Sequence, residues 1–303
     1  VAVTPADFIY PCTVTAGKQI RKEITGMPGI FRYSVDTLLE EVKECLSLGI
    51  NRMMLFGSMD QDLTDTAITS GTLLIRAILT IKEEYPEMIL YTDVCPGTSG
   101  NYELAEIVEL AYQYASAGAD FVSPSSTLEG QVEAIGNRIS EAGLPTQLLA
   151  YPARYDSSFC GILQGGTAGN LGQDPLDYCS RSQGLSEIES DIEAGAGWIM
   201  VKPAMEYLDI IVRARRLFPE IQLVGFQVAG EYAMLKAAAR LGYLNEQQSF
   251  YESLTAIKRS GADYIISYYA KTFAMQWQQV QASVTHTDKS YFLKQNSYEY
   301  STT

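Results

Sequence analysis

The chain has 303 residues, 47% hydrophobic and 19% charged, which is enough apolar material for one large α/β domain or two small ones. Its 22 basic and 36 acidic side chains leave a net charge of −14, which argues against a nucleic-acid binder, and no run of about 18 apolar residues offers a membrane span. The one histidine, His286, lies in the polar stretch "SVTHTDKSY", so a Ser-His-Asp triad or a His-rich zinc centre is hard to assemble.

Short apolar runs alternate with helical patterns along the chain. The predicted strands are "FIYPCTV" (8–14), "RMMLFG" (52–57), "MILYTDVC" (88–95), "FVSPSS" (121–126), "QLLAYPA" (147–153), "WIMVKPA" (198–204), "QLVGFQV" (222–228) and "YIISYYA" (264–270). Between them, stretches such as "VDTLLEEVKECLSLG", "NYELAEIVELAYQYASAG" and "SEIESDIEAG" place apolar residues at helical spacing. The junctions "SAGADFV", "EAGAGWIMV" and "RSGADYII" repeat one device, a glycine that ends a helix and feeds a strand.

Eight strands alternating with helices predict an α/β fold of the (β/α)8 TIM-barrel type, aldolase-like, over 1–281. An open doubly wound sheet would carry a Gly-rich phosphate turn after its first strand, and none is present. No linker divides the barrel. The segment after Trp277 reads as polar and irregular, with a tail over 282–303. Five scattered cysteines, odd in number, fit a reducing cytoplasm better than a disulfide framework.

In such a barrel the strand C-termini form the active face. Those ends supply Asp93 and Cys95, Ser125 and Ser126, Tyr151 and Arg154, Lys202, Gln227, Tyr268 and Tyr269. Lys202 stands out, because an apolar run, "WIMV", drives it to a strand mouth. Desolvation there disfavours a lysine's ammonium form, and the neutral amine can attack a ketone to form a Schiff base. A structural ion pair with Asp93 or Glu206 is the other role open to such a lysine.

From about Pro5 to Trp277 the chain resembles the porphobilinogen synthase (5-aminolevulinate dehydratase) family. The resemblance rests on "GMPGIFRYS", "YTDVC", "AGADFVSPS", "YPARYDSSF", "DIEAGAGWIMVKPAMEYLDII", "FQVAGEYAMLKAAA" and "ESLTAIKRSGADYIISYYA". It implies a homo-oligomer built from dimers that condenses two aminolevulinates through Schiff bases. It also implies that Lys202 is the main imine lysine, that Asp93 and Tyr151 are catalytic partners, and that Tyr268 holds a substrate carboxylate. Phe159, Ser126, Gln227 and Arg154 complete the expected substrate contacts.

The departures from the family lie at the site. The second Schiff-base lysine falls at Arg154, whose guanidinium stays protonated and offers no nucleophile but can clamp an anion. The metal loop is reduced to "DVCPGTSGNYE", with Cys95 alone, so no zinc site and no cofactor are expected. A lid arginine falls at Gln164, with Arg181 as a substitute, a serine at Ala229 and an aspartate at Ser126. The resulting expectation is a metal-independent, cytoplasmic lyase that catalyses a dehydrating condensation or cyclisation of a small keto or amino-keto acid through Lys202, in specialised metabolism. A non-catalytic binding paralogue and a genuine 5-aminolevulinate dehydratase of tetrapyrrole biosynthesis are the alternatives.

Overall fold

A computed structural model describes residues 2–58, 70–95, 103–126, 128–154, 157–160 and 181–283. The chain opens with β1 (Phe8–Val14), a hairpin of β2 (Arg21–Glu23) and β3 (Phe31–Tyr33), and α1 (Val35–Ser47). Strands and helices then alternate as β4 (Arg52–Gly57), α2 (Ser70–Glu84), β5 (Ile89–Val94), α3 (Leu104–Ser116), β6 (Phe121–Pro124), α4 (Gln131–Glu141) and β7 (Gln147–Arg154). The second half continues with α5 (Arg181–Glu193), β8 (Trp198–Lys202), α6 (Leu208–Leu217), β9 (Gln222–Gln227), α7 (Ala229–Arg240), α8 (Glu246–Arg259), β10 (Tyr264–Ser267) and α9 (Ala270–Ser283).

Strands β1, β4, β5, β6, β7, β8, β9 and β10 pair in parallel in that order. β10 returns to β1 through Phe8 opposite Ile265 and Ile9 opposite Ile266, closing the (β/α)8 barrel. Strands covered on both faces are apolar in continuous runs, as in Met53–Leu55 and Ile199–Val201, all fully buried. Helices show one apolar stripe, and α1 buries Val35, Leu38, Val42 and Cys45 at helical spacing.

Two elements differ from the sequence expectation. The β2–β3 hairpin has no alternating pattern to announce it, since each strand is three residues long and Arg21–Glu23 is exposed. It hangs on β1 by Thr13 opposite Arg32 and Val14 opposite Tyr33, while the Tyr232 hydroxyl donates to the Pro28 carbonyl at 2.7 Å. The segment after Trp277 is not irregular at its start, because α9 runs to Ser283 and the Gln278 amide donates to the Ser47 carbonyl at 2.8 Å. Glutamine and alanine favour this continuation. The tail from 284 onward lies outside the described residues.

Residues at the beginnings of strands close the N-terminal end of the barrel. Tyr91 stacks on Phe121 at 4.1 Å, Phe121 meets Trp198 edge-on at 4.8 Å, and Trp198 stacks on Tyr264 at 5.1 Å. Arg52 lies over the Tyr264 ring at 4.6 Å, and the Trp198 indole donates to Gln147 Oε1 at 2.9 Å. Each aromatic pair of this kind contributes about 0.5–1.5 kcal/mol beyond its burial. With this floor packed, a substrate site belongs at the opposite end.

The repeated "GAD" junctions staple neighbouring units. Asp120 accepts from the Leu90 amide at 2.7 Å and from Lys82 Nζ at 2.6 Å. Asp263 repeats the arrangement with the Leu223 amide at 2.8 Å and with Arg215 Nη2. The third junction carries Gly197 at the corresponding place and lacks the staple. We expect Asp263→Ala to lower stability by about 1.5–3 kcal/mol, the range for hydrogen bonds to a charged group. Urea unfolding followed by circular dichroism checks this, and an unchanged midpoint would refute it.

Candidate active site

Lys202 is the last residue of β8, at the C-terminal end of the barrel strands. Its Nζ lies 4.9 Å from the centroid of the Tyr151 ring, within range of a cation–π contact. Tyr151, on β7, is buried, and its hydroxyl lies 3.7 Å from Met54 Sδ on β4.

A bulge determines which residue of β7 meets Lys202. Ala150 pairs with Ile199, but Ala153 pairs with Val201 and Arg154 with Lys202, so β7 carries one extra residue between Ala150 and Ala153. Pro152 lies in that interval and has no amide N–H to give a regular ladder. Without the bulge, Ala153 would be the ladder partner of Lys202. Bulges next to active sites serve this re-aiming purpose. The side chain of Arg154 lies outside what the structure describes.

Alternation along β9 and β10 places Phe226 and Tyr268 on the inward row. Phe226 lies 6.1 Å from Phe56 of β4 and 6.4 Å from Tyr268, which also approaches Tyr232 at 5.9 Å. Tyr268 is buried, and its hydroxyl has no hydrogen-bond partner among the described residues. Burial, then the nearby Cys12 and Cys160, raises its pKa above the ordinary tyrosine value, so it remains a neutral donor. Tyr114, Tyr251 and Tyr269 also have buried hydroxyls with no hydrogen-bond partner among the described residues, and the Tyr91 hydroxyl lies beside Arg52. Of these, Tyr91 belongs to the floor, Tyr114 and Tyr251 to α3 and α8, and Tyr269 stacks on Phe250 of α8.

Phe159 sits in a short 3₁₀ turn, Ser158–Cys160, directly on the start of α7. A Cβ on Gly230 would meet the Phe159 carbonyl oxygen at 2.4 Å, so only glycine lets the two backbones approach this closely. Asp93 is half-buried on β5, and after burial itself it is the leading cause of the raised pKa of Tyr114, followed by Cys95.

Two expected substrate contacts are engaged elsewhere. Gln227 follows the inward Phe226, so its side chain faces the helices. Its amide donates to Ser253 Oγ at 3.0 Å and accepts from Ser267 Oγ at 2.7 Å, which leaves it in the scaffold rather than in the mouth. Ser126 is bonded to the Gln131 side chain, which donates back to the Ser126 carbonyl at 2.7 Å. Gln164 and residues 165–180 of the segment "GGTAGNLGQDPLDYCSRSQ" (165–183), expected as a lid, lie outside the described residues, as does the Arg181 side chain, and the end of that segment forms the start of α5. Reading strand ends without their parity missed Met54 and Phe226, and Glu231 was visible only as one letter of "GEYAM".

The metal loop of the family does not fit these residues. Cys95 follows β5 and is not in a disulfide, and the next seven residues, "PGTSGNY", which lie outside the described residues, contain no Cys, His, Asp or Glu. Among the described residues no three such side chains gather into a ligand set. Zinc requires about four ligands, or three with water.

A family model described as delta-aminolevulinic acid dehydratase matches residues 1–276. The chain belongs to the delta-aminolevulinic acid dehydratase family. Two dehydratase relatives, from Synechococcus elongatus and Bacillus subtilis, are 35% and 34% identical, covering 91% and 90% of this chain and 92% and 91% of their own lengths. The Toxoplasma gondii dehydratase, solved in complex with porphobilinogen, superposes with a TM-score of 0.85 at 33% identity. That match covers 96% of this chain and 90% of the other. Dehydratase-family membership accords with the closed barrel.

If the Tyr268 hydroxyl is kept for a ligand, Tyr268→Phe should leave stability unchanged or raise it by about 1 kcal/mol, since an unpartnered buried hydroxyl opposes folding. The same variant should bind keto acids more weakly. Thermal melts with and without levulinate check both, and a less stable variant with unchanged ligand response would overturn the assignment.

Proposed function

We propose that the chain is a lyase of the 5-aminolevulinate dehydratase type that holds its substrate as an imine on Lys202. The observation that carries this reading is the placement of Lys202 at the open end of β8, with its Nζ against the Tyr151 ring and Arg154 beside it in the ladder. The amine adds to the keto carbon of the substrate, the carbinolamine loses water, and the resulting imine withdraws electrons from the neighbouring carbon. Asp93 and Tyr151 handle protons, Tyr268 orients the substrate carboxylate, and Phe159 covers the mouth.

The site departures led to an expectation of specialised metabolism. The relatives compared, from a cyanobacterium, Bacillus and an archaeon among others, carry the dehydratase name, and this supports aminolevulinate and tetrapyrrole biosynthesis instead. Arg154 then departs from family chemistry by removing the second amine. The second substrate is held by charge and hydrogen bonds, with the guanidinium clamping an anionic group.

Borohydride reduction in the presence of 5-aminolevulinate, followed by peptide mass spectrometry, tests the imine. The wild type should carry the adduct on Lys202 and Lys202→Ala should carry none. A pyrrole colour reaction on the same mixtures should be positive for the wild type alone. An imine without pyrrole would overturn aminolevulinate condensation, and no adduct at all would make the chain a binding protein.

We also propose that the barrel mouth works without zinc, because the seven residues after Cys95 contain no Cys, His, Asp or Glu. Elemental analysis should find less than stoichiometric zinc, and chelators should leave activity intact. Stoichiometric zinc lost together with activity would refute this.

A further inference from the structure

The loop that follows Lys202 is not anchored by the barrel ladder alone. The Ala204 amide donates to the Phe226 carbonyl at 2.9 Å, and the next amide, that of Met205, donates to Glu231 Oε1 at 2.7 Å. Glu231 is fully buried in the first turn of α7, and its other oxygen accepts from the Val228 amide. One carboxyl group therefore joins three pieces of backbone, namely the end of β9, the start of α7 and the loop leaving Lys202. The preceding residue, Gly230, is the one against which the Phe159 turn rests.

A fully buried carboxyl group is expensive unless its oxygens are satisfied. Here two amide donors and the helix N-terminus satisfy it. Helix capping accounts for the bond to Val228 but not for the bond to Met205, which crosses to another unit of the barrel. Apolar packing of the neighbouring Ala204 and Val201, both fully buried, would hold the strand without any charge.

We propose that Glu231 is a positioning residue for Lys202: by accepting the Met205 amide it sets the direction in which the loop leaves β8, and thereby the place of the lysine amine. This rests on the imine reading of Lys202. Burial, followed by the Glu206 carboxylate that shares a hydrogen bond with it, pushes the Glu231 pKa up, while the two amide donors oppose the shift. A glutamine at 231 would match the shape, but its amide nitrogen has no lone pair for one of the two N–H groups it would face. An aspartate would be one methylene too short to span both.

The test uses levulinate, a 4-keto acid without an amine, with cyanoborohydride and the whole protein. Lys202 and the ketone lose water to give the imine, and hydride reduces it to a secondary amine, leaving a mass gain equal to the acid less one oxygen. Rates are taken per folded molecule, with the folded fraction read from near-ultraviolet circular dichroism. Glu231→Gln and Glu231→Asp should each lower the maximal trapping rate about 10²-fold, the effect of misplacing a reacting group by roughly 1 Å. The levulinate concentration for half-maximal rate should change less than about two-fold, because the carboxylate contacts lie elsewhere. A purely structural role would reduce the folded fraction and leave the rate per folded molecule unchanged. Wild-type rates in either folded variant, or failure of both variants to fold, overturn the proposal. If the wild type itself traps no levulinate on Lys202, the imine reading fails instead, which separates the two failures.

Discussion

The pairing of β10 with β1, through Phe8 opposite Ile265 and Ile9 opposite Ile266, is what makes a mouth out of a sheet. It removes both edges of the parallel sheet and forces inward residues from distant parts of the chain toward one axis. Two lysines secure the seam. Lys258 reaches Asp7 at 2.8 Å and the Asp263 carbonyl at 2.6 Å, tying α8 to the residue that precedes β1. Lys271 reaches Glu41 at 2.6 Å and Glu44 at 2.8 Å, tying α9 to α1. Burial opposes the Lys271 charge, yet its bonds to the two glutamates hold its pKa above the ordinary value, so the tie stays ionic at neutral pH. Tyr268 stands between these two lysines in sequence, and the seam therefore also holds Tyr268 in place.

The ladder decides chemistry as well as shape. The bulge at Pro152 advances β7 by one residue, which gives Lys202 Arg154 rather than Ala153 as its partner. Whether that partner is lysine or arginine changes nothing in the hydrogen-bonded ladder but changes what the mouth can do. An amine can lose its proton and attack, whereas a guanidinium keeps its charge and presents two parallel donors. The family fold can therefore remain intact whichever of the two residues stands at this place in the ladder.

Much of this was legible in the residues. Apolar runs of strand length and glycine-ended helices foretold the barrel, and the run "WIMV" foretold Lys202 at a strand end, because each follows from local pattern. The β2–β3 hairpin was not legible, since three-residue strands with exposed side chains have no period. Gln227 was placed on the wrong side because a strand end was read without counting from Phe226, and alternation turns every second residue away from the axis. Glu231 was hidden for a deeper reason. Its role is defined by an amide in another unit of the barrel, and neither segment alone carries a sign of the other.

The floor has an optical consequence. Trp198 and Lys202 occupy the two ends of one five-residue strand, and the chain contains only one other tryptophan, Trp277, on an outer helix. The Trp198 indole overlaps Tyr264 and meets Phe121 at its edge, so its emission and near-ultraviolet dichroism depend on how these rings are tilted. Any motion of β8 that swings the amine at its upper end must also turn the chromophore at its base. The protein thus has a built-in spectroscopic reporter on the strand that ends in Lys202.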